Sequence, residues 1–187
     1  ATVTGTVESV TNNAITINGK TYQAHKDVAF LVNKANTEAL VNAAVTVSTK
    51  GNEIIAVSSL NVKNGATFDG LHAKIADLKL PASMTTVKNI SATTIDYAVA
   101  GNVLIENVTA KKLVANGENG KVATTANVAA PVNLTINGSH FEVVQLIGTV
   151  MALQKTASTI QYLDAKDAPV LQLNGDFQTV LLSALIK

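Results

Sequence analysis

Three histidines are the side chains best suited to metal or acid–base chemistry in this sequence: His25, His72 and His140. A histidine metal site needs further ligands at close, regular spacing, such as a second histidine three to five residues away on one helix. No two of the three have that spacing, and none has a carboxylate in ligand register on a predicted helix. We therefore expect no metal at them and predict strand-edge or turn positions.

The densest acidic cluster contains two aspartates, Asp164 and Asp167, with a lysine between them. Calcium sites need several oxygen ligands from a tight loop. The intervening lysine and Pro169, just after the cluster, favour a solvated turn instead, with calcium binding as the less favoured alternative. Asp69-Gly70 likewise predicts a turn.

Paired carboxylates that cleave glycosidic bonds are the sharpest enzymatic alternative. Asp96, Glu106 and Glu142 are the candidates, all on predicted strands. Such a site needs two carboxyl groups several ångström apart, usually in a groove with aromatic side chains. The chain has no Trp and only three Tyr, so a sugar-stacking platform is hard to build.

Other catalytic signatures are missing from the sequence. There is no Cys, no Gly-x-Ser-x-Gly elbow, and no glycine-rich loop with the residues that a nucleotide phosphate requires. We predict no catalytic, cofactor-binding or metal-ligating residue, and hence a protein that is not an enzyme.

The charge balance argues against polyanionic partners. Net charge is +1, and all 14 basic residues are Lys. Readers of nucleic acid usually present a basic surface and the bidentate guanidinium of Arg, so we expect no nucleic-acid partner. No apolar run is long enough to span a bilayer. The chain begins without Met or an apolar signal core, which predicts a processed product or a segment of a longer protein.

The N-terminal segment, 1–65, has the pattern of a compact antiparallel β module. Strands are predicted over 2–10, around Ile15 and Ile17, at Tyr22, over 45–49 and over 53–60. The Asn-Gly dipeptide at 18–19 predicts a hairpin turn. We also predict a strand over 27–32 and a short helix over 36–41, with Asn36 as its N-cap. Five or six strands and one helical turn indicate a small barrel or sandwich.

The remaining segment, 66–187, shows a different rhythm, in which short apolar pairs recur between polar spacers. The clearest internal match pairs Leu-Thr-Ile-Asn-Gly at 134–138 with Leu-Gln-Leu-Asn-Gly at 171–175. The offset between them is about two coils of a parallel β-helix. We predict an all-β chain in which a solenoid follows the N-terminal module. Two antiparallel sandwich domains are the alternative, because Ile-Thr-Ile-Asn-Gly at 15–19 fits the motif too.

A family resemblance rests on three stretches. The run 101–117, with a Val-Leu strand, Asn-Val-Thr and a Leu-Val strand closed by Asn-Gly, resembles a repeat of bacterial surface proteins that carry S-layer-homology anchors. Residues 170–177 are similar to its closing coil, and residues 5–10 with 15–19 and Tyr22 resemble small β-barrel modules of the same class. The sequence departs from the pattern at 116–120, where a longer glycine run is usual, and contains no S-layer-homology anchor.

The resemblance implies a secreted, non-catalytic structural module in the cell wall or S-layer of a Gram-positive bacterium. Its expected partners are other copies or neighbouring modules of the same surface protein, which assemble into a lattice. The alternative is a carbohydrate-binding or adhesion module whose partner is cell-wall polysaccharide.

Overall fold

The protein is all-β, as predicted. A computed structural model describes residues 1–118, 132–148, 151–168 and 171–182. Strands account for 68% of the structure and helix for 9%. Two bodies follow one another along the chain: a small closed barrel of five strands and a β-solenoid-like segment of about six turns.

The barrel contains five short strands. They are β1 (Thr2–Val10), β2 (Ala14–Ile17), β3 (Lys20–Ala24), β4 (Ala44–Lys50) and β5 (Glu53–Asn61). Hydrogen bonds close the sheet in the order β1-β2-β3-β5-β4-β1. All pairs are antiparallel except β3–β5. This is the Greek-key strand order of OB-type barrels, and the helical segments lie between β3 and β4.

The Asn-Gly hairpin is confirmed. Asn18 and Gly19 join β2 to β3 and both take positive φ, at 52° and 81°. This is the geometry that a tight two-residue turn between right-twisted strands requires. The side chain of Asn18 also donates a hydrogen bond to the carbonyl oxygen of Thr4 on β1, at 2.9 Å.

The strand predicted over 27–32 is wrong. Lys26–Val32 is a 3-10 helical segment, which begins where Nδ1 of His25 accepts a hydrogen bond from the backbone of Asp27 at 3.2 Å. Val28 and Leu31 are both buried. The segment is kinked at Val28, whose φ of −126° and ψ of 24° are not helical, so it consists of two short turns whose apolar side chains pack into the core.

The predicted short helix exists, but its N-terminal side chain behaves differently from the prediction. A 3-10 turn at Lys34–Asn36 leads into α1 (Thr37–Leu40), and Asn36 occupies the N-cap position. Its side chain makes no capping bond. It instead donates to the carbonyl of Asp69 at 2.6 Å and accepts from the Asp69 N–H at 3.1 Å, across 33 residues of sequence.

The solenoid is built from parallel strands that stack coil on coil. Three coils have one long strand each, and three are split into two strands. The strands are β6 (Thr67–Leu80), β7 (Thr86–Ala98), β8 (Asn102–Asn116), β9 (Val132–Asn137), β10 (His140–Ile147), β11 (Met151–Thr156), β12 (Thr159–Asp167), β13 (Leu171–Asn174) and β14 (Val180–Leu182). All pairings between coils are parallel, which excludes the antiparallel sandwich for this segment.

The coil repeat is nearly constant over the first three coils. Paired residues illustrate it, since Ser91 lies 17 residues after Lys74 and Thr109 lies 18 residues after Ser91. The step from the third coil to the fourth is longer. There Val108 bonds to Ser139, 31 residues later in the chain, and Thr109 pairs with His140. The extra residues fall largely within 119–131, outside the described residues, together with the Asn-Gly at 119–120.

Burial divides each coil into three runs. In the first coil these are 67–70, 73–76 and 77–80, with side chains alternately inside and outside. The first corner takes positive φ, at Leu71 and His72 in the first coil and at Asn89 and Asn107 in the next two. The second corner carries two consecutive exposed residues, such as Lys111 and Lys112.

The internal sequence match identifies strands two coils apart, but its register is wrong. Leu134 pairs with Leu153, and Leu153 pairs with Leu173, so Leu134 stacks above Leu173 and not Leu171. The register in the structure differs from the one in the sequence match by two residues. Two residues are one full period of a strand, so every side chain stays on the same face. The hydrophobic pattern alone therefore could not distinguish the two registers.

The two bodies share one strand and one core. β5 closes the barrel through β3 and β4, and it also pairs in parallel with β6 of the first coil. The rings of Phe30 and Phe68 meet edge to face across this junction, with centroids 6.2 Å apart. Buried apolar side chains form a single continuous cluster from Val7 to Ala168. The domain boundary predicted at residue 65 lies in the connection between β5 and β6.

Candidate functional site

The acidic cluster at 164–167 lies at the end of β12, where the strand passes into a turn. Asp164 and Asp167 lie on β12, where they pair with Gln145 and Ile147 of the preceding coil. Ala165 between them is fully buried, but Lys166 and Asp167 are both exposed, so the alternation of the strand ends within the cluster. Asp164 contacts Lys166 with an oxygen–nitrogen distance of 3.8 Å. The predicted solvated turn is therefore present over residues 165–168, where the Ala168 N–H donates to the Ala165 carbonyl at 3.1 Å, although the cluster begins within the strand. Pro169 itself lies outside the described residues.

The three histidines are far apart in the fold. His25 precedes the 3-10 segment and contacts Asp27, with Nδ1 and Oδ2 3.4 Å apart. His72 lies at the first corner of the first coil with φ of +66°, and His140 begins β10. In the described ranges, no group of three or more His, Asp or Glu side chains is placed to hold a metal ion.

The three carboxylates weighed for glycoside cleavage do not converge. Glu142 lies on the second run of the fourth coil, and Asp96 lines a separate surface depression beside Tyr97 on the third run. Glu106 is exposed on the first run of β8, opposite Lys88. Burial raises the pKa of the Tyr97 hydroxyl, which donates a hydrogen bond to the carbonyl of Met84, so this tyrosine remains a neutral donor.

A surface depression runs along the second run of five successive coils. We call it the ladder groove, and its volume is about 750 Å³. One row of exposed or half-buried side chains follows the strand register and comprises Lys74, Ser91, Thr109, His140 and Thr159. A second row, at the next outward position of each strand, comprises Ala76, Thr93, Lys111, Glu142 and Gln161.

The ladder groove mixes short hydroxyl side chains with longer charged and amide side chains, and Lys111 lies in its central coil. Ala92 and Ala110 lie at its floor and are only 8% and 5% exposed. Adjacent rungs are about 4.8 Å apart, because they belong to hydrogen-bonded strands. Five rungs therefore extend over roughly 19 Å. The groove offers hydroxyls, two ammonium groups, an imidazole, a carboxylate and an amide, which suits hydrogen bonding to an elongated polar ligand.

Sequence reasoning missed most of this groove. Only His140 and Glu142 were singled out, and each for a different chemistry. The signal that could have found the groove is the coil repeat, since Lys74, Ser91 and Thr109 recur once per coil at equivalent positions. The longer step to His140 interrupts that repeat and hides the fourth rung.

A second set of polar side chains stacks along the first corner of the solenoid. The Nδ2 of Asn107 donates to Oδ1 of Asn89 at 2.7 Å, and the Nδ2 of Asn89 donates to Oδ1 of Asp69 at 2.9 Å. Asn36 of the barrel bonds to the backbone of Asp69. This corner ladder ties the helical segment of the barrel to three successive coils.

The hydrogen bonds of the corner ladder affect the pKa of Asp69, the one acidic side chain in it. Burial by itself raises the pKa of Asp69, but hydrogen bonds from Asn89 and from the Leu71 backbone lower it, and together with nearby charges they outweigh the burial. Those charges are the positive groups of Lys88 and His72. The net pKa of Asp69 lies below its ordinary value, so the carboxylate stays ionised and accepts both hydrogen bonds.

Comparison of the chain with protein-family models, with curated protein sequences and with solved structures gives no match. Within the described residues, no helix is long and apolar enough to cross a membrane.

Proposed function

We propose that this chain is a non-catalytic structural module of a bacterial cell-surface protein of the S-layer type. It packs against neighbouring modules or other copies of the same protein. The surface localisation and the lattice role come from the sequence resemblance of residues 101–117 and 170–177. The mechanical part of the role comes from the fold.

The observation that carries the proposal is the double use of β5. This strand closes the barrel and also forms the first parallel ladder of the solenoid. Val62, directly after it, donates a further backbone hydrogen bond to Lys79 at 2.9 Å. A hinge between the two bodies would have to break these bonds and separate the aromatic rings of Phe30 and Phe68. The module therefore transmits force as one body, which is what a packed surface array requires.

The surface composition suits a role in packing. The outward positions of the strands are mostly Thr, Ser, Asn and Lys, and large exposed apolar side chains are few and scattered in the described parts of the chain. They are Ile55, Leu71, Tyr162 and Leu181. Weakly charged, hydrogen-bonding surfaces of this kind can meet in ordered contacts without a large hydrophobic patch that would drive non-specific aggregation.

The proposal is tested on the native protein in its source cells. Immunogold labelling with an antibody against the folded chain should decorate the cell surface. The native protein, extracted from the envelope and dialysed, should form an ordered array in negative-stain electron microscopy. Label confined to the cell interior, or no array under any calcium or salt condition, would contradict the proposal.

A further inference from the structure

We propose that the ladder groove binds a linear polysaccharide in which every second sugar carries a carboxylate. This inference goes beyond the packing role and does not depend on it.

The shape of the groove selects an extended polymer. Its rungs repeat at the spacing of β-strands, about 4.8 Å, over five coils. An extended chain of pyranose rings advances by a comparable distance per sugar, so successive sugars meet successive rungs. The strands beneath the groove are already paired on both sides from β7 to β10, which leaves no free backbone edge for a peptide strand.

The polar groups match sugar hydroxyls. The central rungs present Ser91, Thr93 and Thr109, whose hydroxyls both donate and accept hydrogen bonds. Glu142 and Gln161 supply longer acceptors at one end of the groove. Binding by such groups needs no exposed aromatic platform, so the shortage of aromatic residues does not argue against it.

The placement of the lysines sets the charge pattern of the ligand. Lys74 lies on the first coil, and Lys111 lies on the third, in the opposite row. The two lysines are two coil steps apart, which is about 10 Å along the solenoid axis. The second coil between them contributes only hydroxyls, and the fourth contributes Glu142, which repels a carboxylate. A glycan with anionic and neutral sugars in alternation places two carboxylates beside the lysines and neutral rings beside the second and fourth coils. Its third carboxylate falls on the fifth coil, where the Thr159 hydroxyl and the Gln161 amide can donate hydrogen bonds.

Three hexasaccharides of similar length test this charge pattern. They are a hyaluronan fragment, with alternating carboxylates, a neutral chitin fragment, and a polygalacturonate fragment with a carboxylate on every sugar. Calorimetry with the full chain should give the tightest binding for the alternating fragment, with an affinity that falls as salt is added. Equal affinity for the neutral and alternating fragments, or no binding of any of the three at millimolar concentration, overturns the proposal.

Matched lysine variants locate the site. Lys74→Gln and Lys111→Gln should each weaken binding of the alternating fragment about tenfold, because each removes a charge-assisted hydrogen bond. Lys50→Gln, an exposed lysine in the barrel turn, should leave affinity unchanged. All three side chains are exposed, so circular dichroism should show the same fold. A loss with Lys50→Gln equal to that with the groove variants overturns the site.

A second copy of the chain is the competing occupant. Sedimentation velocity distinguishes it, since self-association that Lys74→Gln and Lys111→Gln abolish, without glycan binding, would assign the groove to a protein contact. Array formation by the native protein in the absence of glycan binding would overturn the groove proposal and leave the packing role standing.

Discussion

The barrel and the solenoid use the same residue, asparagine at positive φ, in two different ways. In the barrel, Asn18 turns the chain and bonds to the backbone of a neighbouring strand. In the solenoid, Asn89 and Asn107 turn the chain and bond to each other. Antiparallel hairpins place each turn at a separate point on the surface. Parallel coils bring every first corner into register, so local turn chemistry becomes a long-range contact between coils.

The largest test of this comparison concerns the junction, where the two bodies meet through Phe30 and Phe68. Phe68→Ala should destabilise the protein by about 3–5 kcal/mol, because it empties a fully buried site and removes an edge-to-face pair. Phe141→Ala, fully within the solenoid, is the matched control of similar cost. The free energy of unfolding is measured by denaturant titration followed by circular dichroism.

Hydrogen exchange then shows whether the two bodies are coupled. Because β5 and the core are shared, Phe68→Ala should raise exchange in β1 and β4 of the barrel as well as in β6 and β7. If the barrel amides keep their original protection while the solenoid opens, the two bodies unfold independently and the shared strand does not couple them.

Asn89 tests the corner ladder itself. Asn89→Ala loses two side-chain hydrogen bonds and retains an unfavourable positive φ, so we expect a loss of about 2 kcal/mol. Asn89→Gly restores the backbone freedom but not the bonds, and should recover only part of this loss. In the barrel, the comparable variant Asn18→Gly removes two bonds to the backbone, one to the Thr4 carbonyl and one from the Thr6 N–H, and leaves every coil contact intact. Thermal unfolding of the three variants provides the comparison. Full recovery by glycine at position 89 would show that the ladder contributes only its backbone geometry.

Alanine substitutions at Gly19 in the barrel and Gly138 in the solenoid measure the cost of a left-handed backbone conformation alone. Both glycines take positive φ, at 81° and 57°, and an added Cβ would meet no atom within 4 Å at either. Gly19→Ala and Gly138→Ala should therefore each cost about 1 kcal/mol, since only the left-handed conformation is penalised. Denaturant titration of the two variants provides the measurement. A clearly larger loss at Gly138 would mean that strain at one corner spreads to its neighbours in the stack.

Acid should weaken the solenoid corner more than the barrel turns. The pKa of Asp69 is lowered in the folded state, so its contribution to stability is complete above its unfolded value of about 3.8 and is lost as the pH falls through the lower folded value. Asp69→Asn should therefore lose less stability than the wild type between about pH 5 and pH 2. Parallel pH profiles for the two proteins would contradict a role for the ionised carboxylate.

The barrel was largely predictable because its signals are local. Alternation over β1, β4 and β5 and the Asn18-Gly19 turn each act within a short stretch of chain. The failure at Lys26–Val32 has a tertiary cause, since an apolar run that fits a strand is held as a 3-10 segment by packing of Phe30 on Phe68. Asn36 failed as a capping side chain for a similar reason, because its partner Asp69 is 33 residues away.

The solenoid was predictable in kind, although not in register or in its groove. The inward side chains of the strands in successive coils are all apolar, so the repeat of apolar residues in the sequence reveals the coils. Outward positions have no such constraint, and the groove row from Lys74 to Thr159 contains four residue types. The long step between Thr109 and His140 further separates rungs that are neighbours in space.

The pairing of β5 with β6 also determines how copies of this protein can join. A stack of parallel coils would ordinarily end in an open sheet edge, to which another chain can add by hydrogen bonding. Here β5 of the barrel pairs with residues 75–79 of β6, so this stretch of the edge of the first coil is closed to a further coil. A second copy therefore cannot extend the solenoid by pairing with this stretch, and we expect copies to meet through the barrel surface or the outward faces of the coils instead.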